Sequence, residues 1–249
     1  MNDINALILA AGKGTRMPSP RPKVLQTLLG ETMLTLVTAT LAAMPRVKNV
    51  FTLVGNEADM VSAEAKRAAE RLNMKACCIL QEKQLGTGHA LMTAMPHFEG
   101  DGHVLVVNGD APLLTADVLN HFLDATEGAD VAFLSLVLDD AAAYGRVVRK
   151  DGAVRAIVEA KDFDPALYGP LEDAHEVNTG IYFFSLPAVR RLLPLLSCNN
   201  KGGEYYITDL VSLGLAAGMD VRGIRAEGAG CEKTALLGVN TPAELSVAE

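Results

Sequence analysis

No stretch of 18 apolar residues occurs in the 249-residue chain, so no membrane-spanning helix is expected. The amino terminus carries Asp3 and no basic segment ahead of an apolar one, which gives no signal-peptide pattern. Cysteine is scarce. Cys77, Cys78, Cys198 and Cys231 are the four, and none forms a C-x-x-C pair. Reduced thiols in a cytoplasmic protein, with no structural metal, are the expectation. Low-complexity tracts are absent, and with 49% hydrophobic residues the chain can bury a sizeable core. Positive charge is the minority, 22 Lys+Arg against 30 Asp+Glu, a balance that disfavours nucleic acid as a partner. No hexapeptide repeat of the kind that builds a left-handed parallel β-helix is found.

Against this acidic background a loop near the amino terminus concentrates positive charge. Residues 11–23 carry Lys13, Arg16, Arg21 and Lys23 and neither Asp nor Glu. They follow Ala6-Leu7-Ile8-Leu9, an apolar run that reads as a buried strand. Ala10, Ala11, Gly12 and Gly14 leave the backbone almost bare, so its N–H groups can approach and face phosphate. A cationic loop in an acidic protein points to a polyphosphate. A Gly-rich turn after a first strand also serves plain α/β proteins, so the loop alone leaves both readings open. Two familiar phosphate motifs are excluded. Met17 stands where the third glycine of G-x-G-x-x-G belongs, and G-x-x-x-x-G-K-[ST] is absent.

What remains, from Leu9 to Lys23, is L-x-x-G-x-G-T-x-M-x-x-x-x-P-K. This stretch resembles the signature of nucleotide-sugar pyrophosphorylases. Within them it is most similar to the uridylyltransferase domain of the bacterial N-acetylglucosamine-1-phosphate uridyltransferases. The resemblance implies an α/β fold: a Rossmann-like, mostly parallel mixed sheet flanked by helices, the nucleotide-diphospho-sugar transferase fold, with a smaller β-rich sugar-binding part. The chain then reads as one nucleotidyltransferase domain over 1–249. Residues of about 1–112 form its nucleotide-binding half and about 113–240 its sugar-phosphate-binding half. The bifunctional relatives carry an acetyltransferase on a hexapeptide β-helix, which is not expected here.

The periodicity agrees with such a sheet. Strands are predicted at 49–54, 75–80 and 103–107, alternating with helices at 57–72, 87–95 and 115–125. The run through Cys77 and Cys78 reads as a buried strand. Residues 146–149 and 153–159, joined at Asp151-Gly152, read as a hairpin. A strand at 177–184, helices at 187–196 and 207–217, and short strands at 221–224 and 235–239 follow. Residues 162–175 show no periodicity and read as a loop. Ligands in such sheets sit beyond the carboxyl ends of the strands.

Three further motifs fall just after predicted strands. Gln81 opens Gln81-Glu82-Lys83-Gln84-Leu85-Gly86-Thr87-Gly88-His89, and its amide offers a donor and an acceptor to a pyrimidine edge. Thr87 also suits a helix N-cap, and His89 reads as structural. The resemblance assigns Gln81, Gly86 and Thr87 to base and ribose contacts, together with Leu9, Ala10 and Gly12, and Gly14 and Thr15 to the same nucleotide-binding set. Asp110, in Asn108-Gly109-Asp110, is a carboxylate at a strand end and suits Mg²⁺ beside phosphate oxygens, or a tight turn. By resemblance Asp110 and Asn240 are the two metal ligands. Gly145, Glu159, Asn178, Tyr206 and Thr208 are residue types suited to sugar hydroxyls, and by resemblance they line the N-acetylglucosamine phosphate pocket. One departure stands out: Thr241-Pro242-Ala243-Glu244 follows Asn240 where the family pattern has Asn or Asp with Arg.

The expected reaction joins UTP and N-acetylglucosamine 1-phosphate to give UDP-N-acetylglucosamine and pyrophosphate, with Mg²⁺ as cofactor. Arg16 and Lys23 are the expected catalytic residues; Lys13 and Arg21 add positive field. A pyrophosphorylase for another sugar 1-phosphate or small alcohol, and a nucleotide-sugar-binding module without catalysis, remain as alternatives. No membrane or nucleic-acid partner is expected, and the oligomeric state is not set by the sequence.

Overall fold

A computed structural model describes residues 4–141, 143–226 and 233–249. Asp3 and Cys231 lie outside the described residues. The chain forms two compact units, one from Met1–Gln84, Val104–His121 and Cys231–Glu249, the other from Leu85–His103 and Phe122–Gly230.

The first unit opens with β1 (Ile4–Leu9), followed after a long loop by β2 (Thr27–Leu28) and β3 (Glu31–Thr32). Then come α1 (Met33–Ala42), β4 (Val47–Val54), α2 (Ala58–Arg71) and β5 (Cys77–Leu80). The chain enters the second unit through α3 (Thr87–Ala94) and returns through β6 (His103–Asn108). β1 and β4 are parallel, with Leu9 opposite Leu53, and β4 and β5 are parallel, with Leu53 opposite Ile79. β6 lies beside β1, and Gly109 N donates to Leu9 O at 3.0 Å, so these strands end together. One edge therefore carries the Gly-rich loop, Gln81 and Asp110, as expected for a parallel sheet. The buried side chains of β1 and β6, including Ile4, Leu7, Val104 and Val106, form its core.

α4 (Ala116–Ala125) spans the division between the units. The second unit continues with β7 (Val131–Val137), β8 (Arg146–Lys150), β9 (Ala153–Val158), α5 (Pro165–Tyr168) and β10 (Glu176–Ser185). It closes with α6 (Leu186–Leu192), α7 (Asp209–Ala216) and β11 (Val221–Arg225). Its sheet is mixed: β10 is antiparallel to β7 and β8, whereas β11 is parallel to β7. β8 and β9 form the predicted hairpin. Asp151 and Gly152 at its tip have φ of 53° and 79°, the left-handed pair that a tight hairpin turn needs. α8 (Pro242–Ala248) ends the first unit.

Four expectations are corrected. Residues 235–239 are not a strand. A 3₁₀ turn covers Lys233–Leu236, and Val239 N bonds Asp110 O at a turn instead of a ladder. Residues 162–175 hold two short helical segments, because the Asp164 side chain caps Ala166 N and Pro165 presets the first turn of α5. β5 is not buried: Cys77 and Cys78 are half-buried and Leu80 is 52% exposed, as befits an edge strand. Thr87 is not the N-cap of α3. Gly86 is, and the Thr87 hydroxyl accepts from Ile207 N at 3.1 Å. Among the described residues no helix is long and apolar enough to cross a membrane.

Candidate functional site

The Gly-rich loop leaves β1 at Leu9 and stays on the strand edge through two backbone bonds: Ala10 N donates to Leu53 O and Asn56 N to Ala11 O. Gly12 is exposed, and a side chain there would meet nothing within 4 Å. Its bare peptide is open to a ligand. Gly14 has φ +60°, and a Cβ on it would lie 2.7 Å from the Lys23 Cβ. Only glycine lets the loop fold back this closely on Lys23. Met17 N bonds Gly14 O, and the Met17 side chain is buried with Met33 and Val239, which pins the loop from below. Thr15 and Arg16 remain exposed.

Lys23 starts a 3₁₀ turn whose next two residues, Val24 and Leu25, are buried. Its stem is thus anchored and its ammonium directed. That ammonium forms an ion pair with Asp110 Oδ2 and donates to Asn240 Oδ1 at 3.0 Å. Arg16 donates to the same Asn240 oxygen at 2.9 Å. Asp110 and Asn240, 87 and 217 residues from Lys23 in sequence, therefore meet at its one cationic nitrogen. Asp110 Oδ1 is buried with no hydrogen-bond partner. The Gly238 backbone lies so close that a Cβ there would sit 2.7 Å from that oxygen.

These residues fit a divalent cation. One nitrogen already bridges the carboxylate and the amide oxygen, so a single small ion can reach both, and the carboxylate has an unsatisfied oxygen. Among the described residues there is no group of three His, Cys, Asp or Glu side chains suited to a metal. One carboxylate and one amide leave most positions to water and phosphate oxygens, the habit of Mg²⁺.

Gln81 is buried at the end of β5, and its backbone N bonds Val54 O at 2.8 Å. Sequence reasoning missed its neighbour Gln84, whose amide nitrogen would stand only 2.7 Å from a Cβ on Gly55. Gly55 and Gly238 carry no chemical group, and only the packing reveals why glycine stands there. Thr241 and Glu244 were also missed as site supports, although T-x-x-E is a legible capping signal.

The second unit gathers the other predicted residues. Asn178 N bonds Gly145 O at 2.9 Å. Glu159 Oε1 accepts from Thr208 Oγ1 at 3.1 Å, and a Cβ on Gly145 would stand 3.5 Å from Glu159 Oε2. Burial pushes the Glu159 carboxyl above its usual range, with the Thr208 bond opposing the shift. The register of β10 shifts between Asn178 and Tyr182, where Gly180 has φ +81°. That bulge re-aims Asn178, whose amide donates to Tyr182 OH and accepts from Gly180 N. Tyr206 lies under the Lys161 ammonium, 5.2 Å from the ring centroid. Gly86, with φ +108°, and Thr87 belong to this unit and pack on the 205–207 segment. A Cβ on Gly86 would be 2.5 Å from Tyr205 O.

The model of the MobA-like NTP transferase domain matches residues 6–155. A bifunctional protein GlmU of Nitratidesulfovibrio vulgaris (strain DP4) is 52% identical over 242 residues, covering 96% of this chain and 50% of that protein. The one from Paracidovorax citrulli (strain AAC00-1) is 39% identical, covering 100% and 50%. The chain spans about half the length of the curated relatives it matches, and the part it matches is their N-terminal half. Among solved structures, a Bacillus anthracis protein described as a glucose-1-phosphate thymidylyltransferase aligns with TM-score 0.75 at 19% identity, covering 98% of this chain and 93% of that one. An inositol-1-phosphate CTP transferase from T. maritima aligns with TM-score 0.68 at 13% identity, with the same coverage. Both show the nucleotide-diphospho-sugar transferase fold expected from the sequence.

Proposed function

The chain belongs to the MobA-like NTP transferase family, and from that membership we propose that it is a uridylyltransferase making UDP-N-acetylglucosamine from UTP and N-acetylglucosamine 1-phosphate. The observation that carries this reading is the meeting of Lys23, Asp110 and Asn240 beside the open Gly-rich loop. The whole of 1–249 is read as one nucleotidyltransferase domain.

A phosphate oxygen of the sugar phosphate attacks the α-phosphorus of UTP. The bond from that phosphorus to the bridging oxygen of the β-phosphate breaks, and pyrophosphate leaves. The nucleophile is already anionic near neutral pH, so no general base is required. The obstacle is charge, and positioning with electrostatic stabilisation supplies most of the catalysis. The bare amides at Gly12, Gly14 and Thr15 receive the triphosphate. Arg16 and Lys23 meet the triphosphate and α-phosphate, which requires Lys23 to exchange its hold on Asp110 and Asn240 for phosphate oxygen. Asp110 and Asn240 would hold Mg²⁺, which when bound would supply further charge neutralisation and orientation of the phosphates. Leu9, Ala10, Gln81, Gly86 and Thr87 take the base and ribose. Gly145, Glu159, Asn178, Tyr206 and Thr208 take the sugar, with Glu159 as the carboxylate for paired hydroxyls. A cytoplasmic setting suits these substrates and the free Cys77, Cys78 and Cys198.

The test is product identification by mass spectrometry, with each of UTP, CTP, GTP and dTTP offered with N-acetylglucosamine 1-phosphate and Mg²⁺. UDP-N-acetylglucosamine as the dominant product supports the reading. A different dominant product, or none, overturns it.

A further inference from the structure

We propose that Glu244 is a positioning residue for the cation site, acting through Asn240. The inference rests on the reading of Asp110 and Asn240 as the cation's protein ligands. Thr241 and Glu244 form a capping box at the start of α8: Glu244 N donates to Thr241 Oγ1 at 3.2 Å, and Glu244 Oε2 accepts from Thr241 N at 3.0 Å. A capping box needs no more than these two bonds. Glu244 Oε2 makes a third, accepting from Asn240 N at 2.5 Å. Asn240 precedes the cap, so this bond satisfies no donor of the helix. It fixes the backbone of Asn240 instead.

The Asn240 side chain is fixed as well. Its Nδ2 donates to Gly238 O at 2.7 Å. An amide has a donor end and an acceptor end, so that bond leaves Oδ1 facing Arg16 and Lys23. The base of this arrangement is firm, because Leu245 and Ala248 of α8 pack on the Met17, Met33 and Val239 cluster beneath the Gly-rich loop. The four residues Thr241-Pro242-Ala243-Glu244, where the sequence leaves the family pattern, thus form a clamp that aims a neutral ligand. Outer contacts of this kind orient metal ligands and change affinity when lost.

Mn²⁺ alone, titrated by electron paramagnetic resonance without nucleotide or sugar phosphate, gives the test. Glu244→Ala is expected to weaken Mn²⁺ binding by roughly tenfold or more, and Glu244→Gln, which keeps an acceptor oxygen, by less. Adding Glu244→Ala to Asn240→Ala is expected to cost nothing further, because the clamp acts only through Asn240. An equal loss in both backgrounds makes Glu244 a plain helix cap and overturns the proposal, as does wild-type affinity in Glu244→Ala. Asp110→Asn is the separate control. If it leaves Mn²⁺ affinity unchanged, the site reading fails and the clamp with it. If it abolishes binding while the Glu244 variants are silent, the clamp alone fails.

Discussion

At the scale of single residues, the site turns on one carboxylate and one ammonium that are only 15% and 16% exposed and paired with each other. Lys23→Ala removes the group proposed to meet charge growing at the α-phosphorus. Turnover should fall by about 10²–10³, the usual effect of losing one electrostatic stabiliser. Steady-state kcat with UTP and sugar phosphate measures this, and an undiminished kcat would make Lys23 a structural cation only. Gly238→Ala is the subtler case. Its Cβ would press within 2.7 Å of Asp110 Oδ1, so the carboxylate must turn. A misplacement of that size should lower kcat/KM by roughly 10- to 100-fold without unfolding the chain. Thermal melting with kinetics checks both halves. Lys23 and Asp110 drew attention in the sequence as charges in a Gly-rich loop and at a strand end, whereas Asn240 came from the family resemblance alone. Gly238 was not legible, because a missing side chain is informative only when its neighbours are known. Glu244 sat outside the motif, where its role is a matter of reach.

At the scale of elements, the strands and helices with clean periodicity were legible. α2 carries charge outside and Val61, Ala65, Ala68 and Ala69 inside, and the hairpin turn at Asp151-Gly152 has its own chemistry. α1 and β7 gave no comparable signal. α1 reads Met-Leu-Thr-Leu-Val-Thr-Ala-Thr-Leu-Ala, rich in β-branched residues and buried on several sides, so neither propensity nor a polar face marks it as a helix. Its threonines are accommodated individually: Thr32 caps Thr35 N, and Thr38 bonds back to Leu34 O. β7 is buried along six of seven positions and shows no alternation. β10 begins at Glu176, which lies among Ser135, Arg149 and Arg225. Burial opposes its charge, but those bonds prevail and hold its carboxyl at about 2, against an ordinary 4.5. A lowered acid stabilises the fold fully above its unfolded value and loses that contribution as pH falls toward its folded value. Acid unfolding of the wild type should therefore steepen between 4.5 and about 2. Glu176→Gln should be less stable near neutrality and flatter across that window. Identical pH profiles for the two would show that the cluster carries no linkage.

At the scale of the whole molecule, the fold class was legible because phosphate, base and metal motifs each followed a predicted strand, the arrangement a parallel sheet demands. The division into two units was less so, because each is assembled from separated stretches of chain and no linker composition marks their borders. The account of the molecule as an enzyme stands on Asp110. Pyrophosphate release from UTP and N-acetylglucosamine 1-phosphate with Mg²⁺, followed side by side for the wild type and Asp110→Asn, tests it most directly. Both proteins should fold alike, since the substitution keeps shape and removes only charge. The account predicts steady release by the wild type and a loss of about 10²-fold or more in the variant. Equal release by both, or none by the wild type, would contradict it.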